Sequence, residues 1–286
     1  MTNGWTGGQY SVYRVALAAA LAGHFGFFGL VFAVPLALGA ADRLAARLFA
    51  GSIVFYLVFY RAPASSAALA GCALLLLHGA TAAAPYGAWA ARGRPDPAGG
   101  WRLTAGIQIA ARTVLAACAL LVAAGKVESP GLLWLPLLLH ACDPGWIPPL
   151  RDGAPARLYY DGACALCHAA VRFALAEDRD GSAFRFAPLA SESFAQRAPA
   201  EIRASLPDSL VLALADGALL VRSAAVLEVG ERLGGLWRAL ARALRLAPPW
   251  LLDGLYDAVA RNRKRFIRAP DDACPLVSPE LRARFE

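Results

Sequence analysis

The feature that most constrains this chain is a series of long apolar segments within its first 150 residues. Four of them have the length expected of membrane-spanning helices, at about residues 11–38, 44–60, 65–84 and 104–124. A fifth, 131–141, is short, because a helix needs about 20 residues to cross the hydrocarbon core. The first segment is too long, and too weakly flanked by basic residues, for a cleaved signal peptide. We therefore expect residues 1–150 to form an all-α multi-span transmembrane bundle of four or five spans.

The composition agrees with a membrane location. Hydrophobic residues make up 58% of the chain, and the formal net charge is +7. Such a charge could indicate nucleic-acid binding, but here the basic residues are spread along the chain. Contact with anionic lipid explains the excess more simply. We expect an integral protein of a bacterial inner membrane, with membrane lipid as a partner and no nucleic acid.

The pattern changes after residue 155 to short strands alternating with helices. A strand at 157–160 and a turn at Asp161-Gly162 precede a predicted helix at 167–176. The later predicted elements are a strand at 184–186, a helix at 192–205, strands at 209–215 and 218–221 around Asp216-Gly217, a helix capped by Ser223, and helices at 236–246 and 249–265. The order β-α-β-α-β-β-α, with Cys-x-x-Cys after the first strand, predicts an α/β thioredoxin-like domain at 155–286.

Cys164 and Cys167 are the residues that point to chemistry. Disulfide exchange needs two sulfurs close together, and Cys-x-x-Cys at a helix N-terminus provides them. The free N–H groups and the dipole of the helix favour a thiolate at Cys164, while Cys167 lies one turn further on, placed to resolve a mixed disulfide. We expect Cys164 to be the more exposed sulfur and the nucleophile.

The same motif is compatible with two other functions. A zinc site would need more ligands, and this half of the chain offers only His168 and Cys274. Cys164-Ala165-Leu166-Cys167-His168 also has the form of a c-type haem attachment sequence. The haem would lack a sixth ligand, because Met1 is the only methionine and the other histidines lie in apolar segments. We expect no metal and no required cofactor, with haem or quinone disfavoured.

Three neighbours of the pair are further candidates, and two of them have two interpretations each. Asp161 either exchanges a proton with the buried sulfur or only bonds turn N–H groups. His168 lies on the same helical face as Cys164, where its protonated form would stabilise the thiolate, or it is an ordinary surface histidine. Pro207 precedes the third strand, where thioredoxin-like folds place a cis-proline, although Asp208 separates it from Ser209.

The motif Tyr160-Asp161-Gly162-Ala163-Cys164-Ala165-Leu166-Cys167 resembles the signature of the DCC family of thiol–disulfide oxidoreductases. The similarity continues at 184–189, 208–211, 222–226 and 233–235, and at the closing Cys274-Pro275-Leu276. It implies a thioredoxin-like fold, disulfide reductase-type activity and a protein or small-molecule disulfide as substrate. Cys274 is then either a third resolving cysteine or a residue packed against the domain core.

The N-terminal half is similar to a different group. Residues 4–11 and Pro85-Tyr86-Gly87 resemble the HTTM (vitamin K-dependent carboxylase-like) membrane domains, in a shortened form. Each of the remaining polar or reactive residues of the N-terminal half has either a functional role or a packing role. Cys142 is a candidate electron relay, whereas His24 and His78 are candidates for haem or quinone sites or for helix packing. Arg112 either reaches the interface, pairs with Gln108 or faces a polar cavity.

These features predict a membrane-anchored thiol–disulfide oxidoreductase. The alternatives are a module that passes electrons between a quinone or haem and the cysteine pair, and a non-catalytic membrane scaffold. Arginines after the first and third segments mark cytoplasmic loops, which places the N-terminus outside. From there, four spans leave the redox domain outside and five place it in the cytoplasm. Basic segments at 236–246 and 261–268 suit an anionic leaflet, unless they are solvated faces of the folded domain. We therefore expect a cytoplasmic redox domain.

Overall fold

The computed structural model describes residues 3–61, 65–207, 209–266 and 277–286. Contacts divide the chain into two compact units. The first comprises Met1–Arg92 with Gly100–Pro144, and the second comprises Gly93–Gly99 with Gly145–Glu286. Residues 93–99 join the second unit, where the Arg172 guanidinium donates a hydrogen bond of 2.6 Å to the Arg94 carbonyl.

The first unit is helical at every predicted apolar segment. Its helices are α1 (Gly7–Leu38), α2 (Asp42–Phe59), α3 (Ser66–Ala80), α4 (Ala105–Ala123) and α5 (Trp134–Ala141), the last preceded by a 3-10 turn at Gly131–Leu133. The Thr6 side chain caps α1, and Gly39 ends it in the left-handed region at φ 67°. Within α1 the backbone departs from helical geometry at Gly26.

Only two of these helices, α1 and α4, are long and apolar enough to cross a membrane, judged by length and composition. Helix α3 has 15 residues, fewer than the roughly 20 that a span needs. Helix α2 carries Asp42, Arg43 and Arg47 in its first two turns, which lowers its hydropathy. The structure thus shows a helical N-terminal region with two candidate spans, and the bundle of four or five spans stays a prediction.

The second unit is built on a mixed four-stranded sheet. Its strands are β1 (Ala156–Tyr160), β2 (Phe184–Pro188), β3 (Val211–Ala213) and β4 (Leu219–Val221), in the order β2-β1-β3-β4. Strands β1 and β2 are parallel, with Tyr160 opposite Pro188, and β3 is antiparallel to both β1 and β4. The predicted hairpin turn between β3 and β4 is present, with Gly217 at φ 91°.

Seven helices complete the described part of the second unit: α6 (Ala165–Glu177), α7 (Glu192–Arg197), α8 (Ala200–Ser205), α9 (Arg222–Leu233), α10 (Gly235–Leu244), α11 (Pro249–Phe266) and α12 (Pro279–Arg282). The single helix predicted at 192–205 is two helices. Ala198 leaves the helical region at φ −124° and ψ 106°, because the proline that follows it disfavours helical backbone there.

The prediction that Ser223 caps α9 is wrong. The helix begins one residue earlier, at Arg222, and its N-cap residue Val221 has no side-chain bond. The Ser223 hydroxyl instead donates to the Asp253 carboxylate of α11, which also accepts the Ser223 N–H at 3.2 Å. Ser223 therefore joins α9 to α11.

Both faces of the sheet are buried, as the alternation of side chains along a strand requires. Leu158 and Tyr160 of β1 face a core that includes Val171 of α6, Ala225 of α9 and both cysteines of the pair. Tyr159 faces the opposite core, with Phe194 of α7. The cysteine pair therefore lies at the edge of the larger core, where β1 passes into α6.

Candidate active site

The cysteine pair occupies the first turn of α6. Cys164 is the N-cap residue, and its Sγ accepts a hydrogen bond of 3.2 Å from the Cys167 N–H. Both cysteines are free thiols, and their exposed fractions are 7% and 8%. The expectation that Cys164 is the more exposed residue of the pair is therefore wrong, because both residues are buried to the same extent.

Asp161 shapes the turn that delivers the pair. Its Oδ1 accepts the Ala163 N–H at 2.9 Å, and its carbonyl accepts the Cys164 N–H at 3.1 Å. An aspartate that bonds the backbone two residues ahead stabilises a turn. This geometry supports the structural interpretation of Asp161.

His168 is a buried residue of the same turn, with an exposed fraction of 5%. Its Nε2 lies 2.7 Å from the Gly162 carbonyl, and because a carbonyl only accepts, Nε2 carries the proton. The Tyr160 ring meets the imidazole edge-on at 5.5 Å. The described structure gives the buried Nδ1 no partner. His168 thus links the turn to α6 and is not an ordinary surface histidine.

Pro207 does not take the cis-proline role that was considered for it, since the described residues contain no cis peptide bond. The Pro207 carbonyl accepts the Ser209 N–H at 2.8 Å. Ser209 is buried, and its hydroxyl donates to the Leu210 carbonyl at 3.0 Å. Asp208 and Cys274 lie outside the described residues, so the predictions for both stay open.

An apolar cavity of about 400 Å³ adjoins Cys167. Leu166, Cys167 and Ala170 of α6 form one wall, and side chains of α9 and α11 form the others. A second cavity, of about 260 Å³, shares Ala170 and Val226 with the first and continues towards Trp237. No motif in the sequence indicated either cavity, because its walls come from segments far apart in the chain.

The arginines of α10 do not form a free basic face. Arg238 and Arg242 lie 2.8 and 3.5 Å from the Glu231 carboxylate of α9, and Arg245 lies 3.2 Å from Glu228. Pairing with α9 engages the charges that the sequence suggested for anionic lipid. For this segment the pairing supports the alternative interpretation, a face of the folded domain.

In the first unit, one histidine of the apolar helices packs against two polar side chains. His78 is buried between the Tyr10 hydroxyl, 2.9 Å from Nδ1, and the Asp42 carboxylate, 3.3 Å from Nε2. Tyr10 and Asp42 were not predicted from the sequence as partners of His78, because no local motif joins them to it. This arrangement supports a packing role for His78, whereas His24 is exposed.

Arg112 and Gln108 share one task in that unit. Arg112 Nε donates to the Ala141 carbonyl at 3.0 Å, and Gln108 Nε2 donates to the Cys142 carbonyl at 3.3 Å. Both therefore bond carbonyls at the C-terminal end of α5, which lack partners within the helix. Cys142 is exposed and free. Among the described residues of the whole chain, no three His, Cys, Asp or Glu side chains converge as a metal site would require.

Comparison with known proteins identifies the second unit. Residues 158–269 match the family model of the DCC1-like thiol-disulfide oxidoreductases. A chloroplastic DCC family protein of Arabidopsis thaliana is 32% identical over 126 residues, which are 44% of this chain and 72% of that protein. The chain belongs to the DCC family. Another relative of this DCC chain, the uncharacterized protein YuxK of Bacillus subtilis strain 168, is 32% identical over 132 residues, 45% of this chain and 91% of YuxK.

The DCC match begins at β1 and includes both cysteines of the pair. It does not extend to the first unit, so the resemblance of that unit to HTTM domains stays a prediction. No solved structure matches the chain.

Proposed function

We propose that this DCC family chain is a membrane-anchored thiol–disulfide oxidoreductase of the protein-disulfide reductase type, with Cys164 and Cys167 as its redox pair. The observation that carries the proposal is the position of Cys164 at the N-cap of α6, with the Cys167 N–H 3.2 Å from its sulfur. The strand order β2-β1-β3-β4, with the pair directly after β1, supports a thioredoxin-like fold.

The reaction is a pair of thiolate exchanges. The Cys164 thiolate attacks one sulfur of a substrate disulfide, forms a mixed disulfide and releases the first substrate thiolate. The Cys167 thiolate then attacks the Cys164 sulfur, closes the intramolecular disulfide and releases the second substrate thiolate. The substrate gains two electrons and two protons, and the cysteine pair loses them.

The first turn of α6 provides the electrostatic help. The Cys167 N–H points at the Cys164 sulfur, and unpaired N–H groups at a helix start favour negative charge there. An external dithiol must reduce the pair after each turnover. The proposal needs no metal or organic cofactor, and its substrate is a protein or small-molecule disulfide.

Trapping of the mixed disulfide in cells tests the proposal. Cys167→Ser cannot resolve the intermediate, so we expect the full-length variant to accumulate adducts that run high on non-reducing gels and vanish with dithiothreitol. Cys164→Ser is the matched control and should trap little. Strong adducts with Cys164→Ser and none with Cys167→Ser would exchange the two roles.

The failure of both variants to form adducts, together with a bound chromophore in the purified wild-type protein, would favour the electron-transfer alternative. If neither variant changes any property of the cell, and no adduct or chromophore is found, the scaffold alternative is favoured.

A further inference from the structure

The cavity of about 400 Å³ beside Cys167 has the size of a small-molecule site. Its lining comes from four helices and the residue before β3, all within the second unit. None of the described residues that line it carries a charged side chain. A ligand group held here must therefore be apolar and uncharged, because an ionised group would lose its hydration without a compensating partner.

The polar side chains at the cavity have structural partners. The Ser223 hydroxyl donates to Asp253, and the Tyr256 hydroxyl accepts the Leu210 N–H at 3.3 Å. These bonds hold α9, α11 and the start of β3 around the space. The chemically reactive atom at the wall is the Cys167 sulfur.

The cavity is open at a rim of apolar side chains. Val226 of α9 and Leu255 and Val259 of α11 line it while remaining 48%, 59% and 58% exposed. Soluble surfaces seldom group large apolar side chains around an opening unless something binds there. An apolar group can therefore enter from solvent and end next to Cys167.

We infer that this cavity binds the uncharged apolar group attached to the substrate's disulfide, and so selects disulfides with aliphatic arms over charged ones. The inference rests on the proposed function. The arm occupies the cavity, its sulfur joins Cys164 in the mixed disulfide, and Cys167, at the cavity wall, releases it as a thiolate. One substrate disulfide becomes two thiols as the Cys164 and Cys167 thiols become one disulfide.

A matched pair of substrates tests the selection. The full-length protein is reduced, freed of reductant and mixed with dithiodibutyrate or its dimethyl ester, and single-turnover oxidation of the pair is followed by mass. The two probes share sulfur chemistry and chain length and differ in charge. We expect the ester to react at least about tenfold faster, since the carboxylate would have to leave water.

Substitutions at the rim connect the selectivity to the cavity. Val259→Lys should reduce the preference for the ester by about tenfold, the factor equal to 1.4 kcal/mol, because the new ammonium attracts the carboxylate. Val259→Glu should disfavour the charged probe further. Ile202→Lys is the matched control: Ile202 is 44% exposed on α8 and does not line the cavity, so the preference should stay as in the wild type.

Hydroxyethyl disulfide, which is small and neutral, distinguishes a failure of the proposed function from a failure of the cavity inference. If the wild-type protein does not react with it, the proposed function is wrong. If the protein reacts with it but oxidises the ester and the acid equally fast, the cavity inference alone is overturned. The same holds if Val259→Lys reacts normally with hydroxyethyl disulfide and leaves the ester preference unchanged.

The aliphatic arm can belong to a small molecule or to a residue beside a cysteine in a polypeptide. Disulfide-linked dimers of Leu-Cys-Leu and of Asp-Cys-Asp peptides are a second pair of probes. A preference for the leucine peptide that exceeds the ester preference assigns the cavity to polypeptide substrates, and the reverse assigns it to small molecules. Equal rates within both probe pairs would contradict the inference.

Discussion

At the scale of single residues, side-chain hydrogen bonds to the backbone hold the turn between β1 and α6. Asp161 accepts the Ala163 N–H, and His168 donates to the Gly162 carbonyl. Both side chains therefore position the segment between β1 and α6, which sets where Cys164 meets the helix start. The sequence showed that these residues flank the pair, and the geometry adds support for turn formation over proton transfer.

Asp161→Asn separates the two roles of this residue. The asparagine amide oxygen still accepts the Ala163 N–H, so we expect single-turnover exchange with hydroxyethyl disulfide to stay close to the wild-type rate. Asp161→Ala loses the acceptor and should destabilise the domain by about 1 kcal/mol. A proton-transfer role predicts instead that Asp161→Asn lowers the rate by at least about 10²-fold, with stability unchanged.

His168→Phe should destabilise the second unit. The phenyl ring can keep the contact with Tyr160 but cannot donate to Gly162, which leaves that carbonyl without this bond at a cost of about 1–3 kcal/mol. Hydrogen–deuterium exchange of the α6 amides in the full-length protein would measure the loss. Unchanged protection would show that water or another donor replaces the imidazole.

A pH-dependent contribution to stability comes from the pair Arg157–Glu286. Burial acts to raise the pKa of the Glu286 carboxyl, but hydrogen bonds from Arg157 and Ser193 outweigh it and lower that pKa below its ordinary value. Arg157 Nε lies 2.8 Å from the carboxylate. Because the folded-state pKa is lowered, the stabilisation is present above the unfolded pKa of about 4.3 and is lost as the pH falls through the folded value.

Arg157→Gln should therefore lower stability at pH 7 by at most about 1 kcal/mol, since the pair is partly exposed. The difference from wild type should shrink once the pH falls below about 4. Hydrogen–deuterium exchange of the β2 amides, compared at each pH with the exposed control Arg203→Gln, would report it. A difference that persists undiminished at acid pH would show that Arg157 acts through packing.

At the scale of elements, the junction of α9 and α10 explains one motif of the sequence. Gly234 has φ 75°, a conformation that favours glycine. A Cβ added to it would lie 2.8 Å from the Pro149 nitrogen and 2.9 Å from the Pro149 Cα. The next residue, Gly235, donates its N–H to the Ile147 carbonyl at 2.8 Å. The segment before β1 thus packs directly against this junction.

Gly234→Ala should destabilise the second unit by at least about 1 kcal/mol, because positive φ alone costs that amount and the backbone of Pro149 cannot easily yield. Gly254→Ala is the matched control, because its Cβ would meet no atom within 4 Å. In the interior of α11 it should be stabilising by about 1 kcal/mol. Thermal unfolding of both variants in detergent would test the contrast, and equal melting temperatures would refute it.

At the scale of the whole molecule, the chain joins a DCC family redox unit to a helical unit with two candidate spans. Membrane anchoring predicts that the protein stays in the membrane pellet after alkaline carbonate extraction. Residues 145–286, the continuous part of the second unit after α5, should be released if they are expressed alone. Release of the full-length protein by carbonate would show that α1 and α4 are core helices and not spans.

The side of the membrane also stays a prediction. A cytoplasmic redox unit needs an odd number of crossings if the N-terminus is outside, whereas α1 and α4 alone provide two. The pairing of the α10 arginines weakens one of the two supports for a cytoplasmic unit. The other support, the basic segment at 261–268, lies partly outside the described residues. The loop arginines bear on the N-terminus, which they place outside. We expect green fluorescent protein fused after Glu286 to be fluorescent. Active alkaline phosphatase at that position would place the unit outside and favour the oxidase direction.

The sequence by itself determined the local structure of this protein. Apolar runs predicted the helices of the first unit, and the turn residues Asp216-Gly217 predicted the hairpin. Both signals depend only on residues that are close together in the chain. The pattern around Cys164 and Cys167 likewise showed the family. These features depend on residues a few positions apart.

Tertiary structure decided everything that depends on distant partners. The partners of the α10 arginines, Glu228 and Glu231, lie on α9. The partners of His78, Tyr10 and Asp42, likewise lie on other helices. The cavity beside Cys167 needs α6, α9 and α11 together. Charge pairing and cavity shape follow from which surfaces meet, and a single sequence does not state which surfaces those are.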